Sequence, residues 1–216
     1  MQLSKHLVIK VLSPPSCNKP IRHELTYSFL SDVKDEIDYE FVGKDLNTAQ
    51  TNIYWQALPY YGNSANITNI TDTFDDWHTY TVDWQPDYIS WSVDGVVGRT
   101  KTRESTWNST SGLYNYPQTP SRIQISIWPG GASDQAPGTI AWAGGAINWN
   151  SQDIQQAGYY YMQLANVSVQ CAPPLPGTPV QGNGSVSYVY NPNTNSFLNN
   201  SVMRKIPLVK LLMGSL

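Results

Sequence analysis

Residues 78–102 read HTYTVDW-QPD-YISWSV-DG-VVGRTKT. Through the first two runs large apolar side chains alternate with small or polar ones. That is the period of a strand with one face in a core and one outside it. Asp94-Gly95 falls between two such runs, and both residues tolerate the positive φ that a two-residue hairpin turn demands. The segment therefore predicts a three-stranded antiparallel meander. Outward from it, 25–30, 36–42 and 50–56 read as earlier strands and 62–76 as a polar loop. Downstream, 122–128 (RIQISIW) is a strand stopped by Pro129-Gly130-Gly131, and 159–170 is a long closing strand. A loop at 138–150 holds Trp142, Gly144-Gly145 and Trp149. No heptads and no useful helix-period stripe occur, so the fold class is all-β. Residues 1–23 read as irregular, 24–172 as one β-sandwich, and 173–216 as a Pro-rich linker with a low-complexity tail.

Composition narrows the function. Only 13% of the 216 residues are charged, and 13 basic against 16 acidic side chains give a net charge of −3. No basic field exists to release counterions from phosphates, which argues against nucleic-acid binding. No apolar run approaches the ~20 residues of a membrane span. With 40% hydrophobic residues and 8 Trp the chain is not disordered throughout. There are 14 Tyr and 8 Trp but only 4 Phe. Rings with an apolar face and a polar edge suit sugars, and they equally suit an ordinary β-protein through strand propensity.

Six Asn-X-Ser/Thr sequons, at Asn66, Asn69, Asn108, Asn166, Asn183 and Asn199, point to a secretory route and glycosylation. Lys10 interrupts the apolar stretch near the start, which makes a poor signal peptide, so the expectation is either no secretion or a missing N-terminus. Cys17 and Cys171 are too few for a disulfide framework, and their pairing stays open. The terminal IPLVKLLMGSL is too short and too charged for a lipid-anchor signal.

Four of the 16 acids lie in DEIDYE, 35–40. On a strand Glu36, Asp38 and Glu40 share one face, and Ile37, Tyr39 and Phe41 turn to the core. Three carboxylates on one face repel each other. The repulsion is useful where one group must stay ionised while another keeps its proton, as in glycoside hydrolysis with retention. A solvated acidic edge strand and a Ca²⁺ site are the alternatives from spacing alone.

DEIDYEFVG at 35–43 resembles the catalytic strand of glycoside hydrolase family 16, and QTNIY at 50–54 and WHTYTVDWQPDYISWSVDG at 77–95 resemble its following strands. YPQTPSRIQISIWPGG at 116–131 and GTIAWAGGAINW at 138–149 resemble the fungal cell-wall transglycosylases of the Crh type, which join chitin to β-glucan. The resemblance implies a concanavalin-like β-jelly-roll sandwich with a polysaccharide cleft on its concave face, in an extracellular, cell-wall protein. It implies Glu36 as nucleophile, Glu40 as acid and base, and Asp38 tuning both, with no cofactor. Gln50, Asn52 and Tyr54 would line the donor side, and Ser126 and Trp128 would face the same cleft. Trp84 and Trp142 are further candidates for sugar stacking, core packing being the alternative for Trp84 and Trp91. His78 reads as structural. The family's earlier strands and cysteine-bearing segment are not matched in 1–23, so the sandwich is expected to be incomplete on its N-terminal side. An inactive truncated homologue, a carbohydrate-binding jelly roll and a β-glucan endo-hydrolase are the other functions considered.

Overall fold

A computed structural model describes residues 5–12, 24–170, 180–181, 186–190 and 201–205. The meander forms as its sequence predicts: β6 (His78–Trp84), β7 (Tyr88–Val93) and β8 (Val96–Thr102), with Asp94 at φ 51° and Gly95 at φ 82° in the tight turn. It belongs to a five-stranded sheet that also contains β1 (Lys5–Leu12) and β12 (Gln163–Gln170), in the order β12-β1-β6-β7-β8. A second five-stranded sheet has the order β11-β2-β3-β4-β5, from β2 (Glu24–Ser31), β3 (Glu36–Val42), β4 (Ala49–Tyr54), β5 (Ala65–Ile67) and β11 (Ser121–Trp128).

The inner faces of the two sheets meet in one core. Tyr27 and Phe29 of β2, Ile37, Tyr39 and Phe41 of β3, and Ile53 of β4 pack with Tyr80, Val82 and Trp84 of β6 and Ile89, Trp91 and Val93 of β7. Burying alternate residues of both sheets is what makes a sandwich stable. The period-2 pattern of each strand is thus explained by one face only, and the opposite face of β3 is left for the carboxylates.

Three expectations need correction. The segment 1–23 is not wholly irregular: β1 pairs antiparallel with β6 on one side and β12 on the other, occupying an inner place in its sheet. Lys10 conceals a run of β-formers in HLVIKVL. The polar loop at 62–76 contains the edge strand β5, whose Ile67 turns inward to the core, as does Ile70 just after it. The loop at 138–150 begins as a helix, α1 (Pro137–Ala143), and α2 (Gln152–Ala157) follows it. Pro137 starts α1 and Gly144, at φ 102°, ends it. Ser151 caps α2 by accepting from the Ile154 N–H. At seven and six residues, each under two turns, neither helix leaves a readable period.

Two short strands, β9 (Trp107–Asn108) and β10 (Leu113–Tyr114), form a hairpin outside the main sheets. In the segment read as linker and tail, β13 (Val180–Gln181), β14 (Val186–Tyr190) and β15 (Ser201–Lys205) pair in the order β13-β15-β14. VSYVY at 186–190 carries the aromatic and β-branched residues that pairing favours. Cys17 and Cys171 lie outside the described residues.

Candidate active site

The site is set by register. β3 is the central strand of its sheet, so the reading of DEIDYE as an acidic edge strand does not hold. Residues directly opposite one another across antiparallel strands point to the same face. Glu40 stands opposite Thr26 on β2 and Gln50 on β4; Thr26 in turn stands opposite Ser126, and Gln50 opposite Asn66. Asp38 lies between Ser28 and Asn52, and Glu36 between Leu30 and Tyr54. The outward face of β3 is therefore three parallel rows, each with a carboxylate at its centre. Gln50, Asn52, Tyr54 and Ser126, expected in the cleft, all fall on this face.

Trp128 and Trp142 join it from elsewhere. Trp128 ends β11, and its Nε1 donates to Thr26 Oγ1 at 3.2 Å. Trp142 sits on α1, and its Nε1 donates to Gln50 Oε1 at 2.9 Å. The two rings stack, centroids 5.8 Å apart and planes 23° apart. Each indole is thus tied to one of the two residues flanking Glu40. The α1 segment is held against the sheet by close backbone approaches. A Cβ on Gly131 would stand 2.3 Å from the Gly145 carbonyl, and one on Gly144 2.7 Å from Lys44 Cβ. Lys44 Nζ donates to the Ala141 carbonyl near the end of α1, at 3.3 Å.

Trp84 does not belong to this face. It is 1% exposed, packs on Phe29, and donates from Nε1 to the Pro117 carbonyl at 3.1 Å. It lies on β6, in the sheet that carries no carboxylate row, and its parity with Tyr80 and Val82 turns it into the core. His78 is buried, with Nδ1 2.7 Å from Asp94 Oδ2 and Nε2 3.3 Å from Thr71 Oγ1, a structural position.

The core pins β3 from behind. Tyr39 Oη lies 2.9 Å from the Ser92 carbonyl and 3.1 Å from that of Thr81, so one hydroxyl bridges the sheets. Trp91 Nε1 donates to the Asp38 carbonyl at 3.0 Å, and Arg99 stacks on the Trp91 ring at 4.5 Å. Asp35, just before the nucleophile candidate, is buried. Its Oδ2 accepts from Thr119 Oγ1 and from the N–H groups of Gln118 and Thr119; its Oδ1 accepts from the Gln56 N–H.

Electrostatics separates the three acids. Asp38 is 3% exposed, and its Oδ1 has no hydrogen-bond partner among the described residues. Burial pushes its carboxyl well above the usual carboxylate range, and Glu40 and Glu36 push it further; a hydrogen bond from the Asn52 backbone and the Arg99 charge pull the other way. Burial also raises Glu36, opposed by Lys34. A neutral Asp38 beside two longer carboxylates is what this site makes easy. Among the described residues no group of three or more His, Cys, Asp or Glu side chains is placed to hold a metal ion.

Thr26, Ser28, Asp35 and Arg99 escaped the sequence reading. For Thr26 and Ser28 a signal existed, since LTYSFL alternates small polar with large apolar residues. Arg99 and Asp35 act through folded contacts 21 to 84 residues away in sequence, where no local pattern points. Of the sequons, Asn66 is on the cleft-side face, Asn69 has a left-handed backbone at φ 62°, Asn108 is in the β9–β10 hairpin and Asn166 is exposed on β12. Asn183 and Asn199 lie outside the described residues.

A two-sheet sandwich with carboxylates on alternate positions of a central strand defines a class of carbohydrate-active proteins. The chain belongs to it: residues 25–144 match the glycosyl hydrolases family 16. It is 55% identical over 164 residues to Congo red hypersensitive protein 2 of Saccharomyces cerevisiae, covering 76% of this chain and 34% of that protein. Its fold superposes on a Crh5 transglycosylase solved in complex with NAG, with TM-score 0.66 and 30% identity, covering 80% of this chain and 66% of the other. It also superposes on a Bacillus licheniformis beta-glucanase, with TM-score 0.52 and 25% identity, covering 68% and 61%. The chain spans about a third of the length of the curated relatives it matches.

Proposed function

We propose that this chain carries the catalytic core of a retaining Crh-type transglycosylase that cleaves chitin-type β-1,4 chains and transfers them to β-glucan in the cell wall. The carrying observation is the carboxylate row itself: Glu36, Asp38 and Glu40 share one face of the central strand, with a buried Asp38 between two less buried glutamates. Glu36 attacks the anomeric carbon while Glu40 gives its proton to the departing glycosidic oxygen, leaving a glycosyl–enzyme ester. Glu40, now ionised, takes the proton of the acceptor hydroxyl as that oxygen displaces Glu36. Asp38, holding its proton, offers a hydrogen bond to its neighbours on the strand face and keeps a second negative charge out of the site. The stacked indoles offer apolar surface to a sugar ring beside Glu40. The likeness to a transglycosylase solved with N-acetylglucosamine favours transfer over hydrolysis, which differ in whether sugar or water reaches the ester.

The test uses fluorogenic chito-oligosaccharide donors with laminari-oligosaccharide acceptors. Glu36→Gln is expected to stop intermediate formation on every donor. Glu40→Gln is expected to retain more activity on donors whose leaving group needs no proton. Full activity in either variant overturns the assignment, and release of free sugar without transfer product moves the protein to the glucan-hydrolase reading.

A further inference from the structure

We propose that Asn66 carries an N-linked glycan whose first two sugars lie in the cleft beside Gln50 and Trp142 and block it. The modification step is ordinary. The Asn66 amide nitrogen attacks C1 of a lipid-pyrophosphate-linked oligosaccharide, the C1–O bond breaks, the lipid pyrophosphate leaves with the electron pair, and the amide gives up a proton. What is particular is the location.

Asn66-Ile67-Thr68 is a sequon that starts inside β5, the edge strand of the catalytic sheet, with Thr68 just past the strand's end. Ile67 is buried in the core, and Ala65 stands opposite the inward-facing Thr51. Strand alternation then leaves Asn66 only the outer face, where it is exposed and opposite Gln50. It closes the row Ser126–Thr26–Glu40–Gln50–Asn66. Strands are spaced ~4.8 Å apart, so its backbone is about one spacing from Gln50 and about two from Glu40. Gln50 is the residue that holds the Trp142 indole. A sugar joined to Asn66 starts at the wall of the cleft. Asn108, by contrast, is in the β9–β10 hairpin, with its Oδ1 already accepting from the Thr110 N–H, and Asn166 is on the other sheet.

The chemistry of the glycan sharpens the point, and here the inference rests on the chitin reading above. An N-glycan begins with two β-1,4-linked N-acetylglucosamines, the repeating unit of chitin. A cleft that binds chitin binds this pair, and a short tether presents it at an effective concentration in the millimolar range. Free donor must then compete with a ligand that never leaves.

The protein is secreted from a glycosylating yeast as wild type, Thr68→Ala, Asn66→Gln and, as control, Thr110→Ala, which removes only the Asn108 sequon. Peptide mass spectrometry reads Asn66 occupancy, and oxidative footprinting reads Trp142 accessibility without any substrate. Expected are an occupied Asn66, a Trp142 shielded in wild type and Thr110→Ala, and roughly tenfold faster transfer in Thr68→Ala and Asn66→Gln, the factor for a ligand held at ten times its Kd. An unoccupied Asn66, or an occupied one with Trp142 as accessible as in Thr68→Ala, overturns the proposal. Shielding without transfer by any variant supports occlusion and overturns the transglycosylase reading instead.

Discussion

Trp128 and Trp142 stack at 5.8 Å although one ends a strand and the other rides on a helix, and their indole N–H groups bind Thr26 and Gln50, the two neighbours of Glu40. The aromatic wall is therefore positioned by the same row that positions the acid. Removing one ring disturbs the sugar platform and leaves the core intact, since neither indole belongs to the core cluster.

Trp128→Ala is expected to weaken chito-oligosaccharide binding by about 1–3 kcal/mol, on the scale of lost aromatic stacking against a ring ligand. Trp128→Phe keeps a ring and loses the bond to Thr26, about 1 kcal/mol. Titration calorimetry beside thermal unfolding checks both. A variant that unfolds early while its folded fraction binds normally would make Trp128 a core residue.

Trp84→Ala is expected to behave in the opposite way. The side chain is fully buried, and its loss opens a cavity and leaves the Pro117 carbonyl without its donor. Destabilisation of about 3–5 kcal/mol follows from large-to-small substitution in a core, with the affinity of the folded fraction unchanged. Urea unfolding and oligosaccharide titration on the same samples separate the two effects.

The contrast between these tryptophans shows what was legible in the sequence. The alternation of HTYTVDW and EIDYEFV gave the strands, their inward faces and the shared face of the three acids. Trp84 shares the parity of Tyr80 and Val82 in that run, so its inward place was legible too; which sheet it would join was not. β1 stayed hidden because Lys10 interrupts a short apolar run, and α1 because a seven-residue helix spans too few turns for a period. Asn66 was visible as a sequon, but its place in the cleft came only from pairing with Gln50.

Asp35 ties two segments to the start of β3: its carboxylate takes donors from Gln56, after β4, and from Gln118 and Thr119, before β11. Asp35→Asn turns an amide N–H₂ or a single oxygen toward donors that need two acceptors. Leaving such buried groups unpaired costs about 1–3 kcal/mol each. The expected result is a clear loss of stability and, because Glu36 is the next residue, a fall in kcat larger than any rise in KM. Chemical denaturation with steady-state kinetics tests this, and unchanged values in both would remove Asp35 from the scaffold of the site.

Asp38 gives the site a pH signature whose sign can be worked out. Burial, then Glu40 and Glu36, raise its carboxyl well above the usual value in the folded chain. Between the unfolded and folded values the native state holds more protons than the unfolded state. Stability therefore falls as pH rises through that window and levels off above the folded value. Asp38→Asn removes the titrating proton while keeping nearly the same shape. It is expected to flatten this part of the stability profile and to make the protein more stable than wild type near neutral pH. The same change removes a carboxyl that tunes Glu36 and Glu40, so transfer activity should fall and its pH optimum should shift. Denaturation midpoints and transfer rates measured across pH 4–8, a range spanning the ordinary carboxylate values and the ground above them, check both halves. A profile of unchanged slope in Asp38→Asn would show that Asp38 ionises normally in the folded protein and does not hold the proton assigned to it.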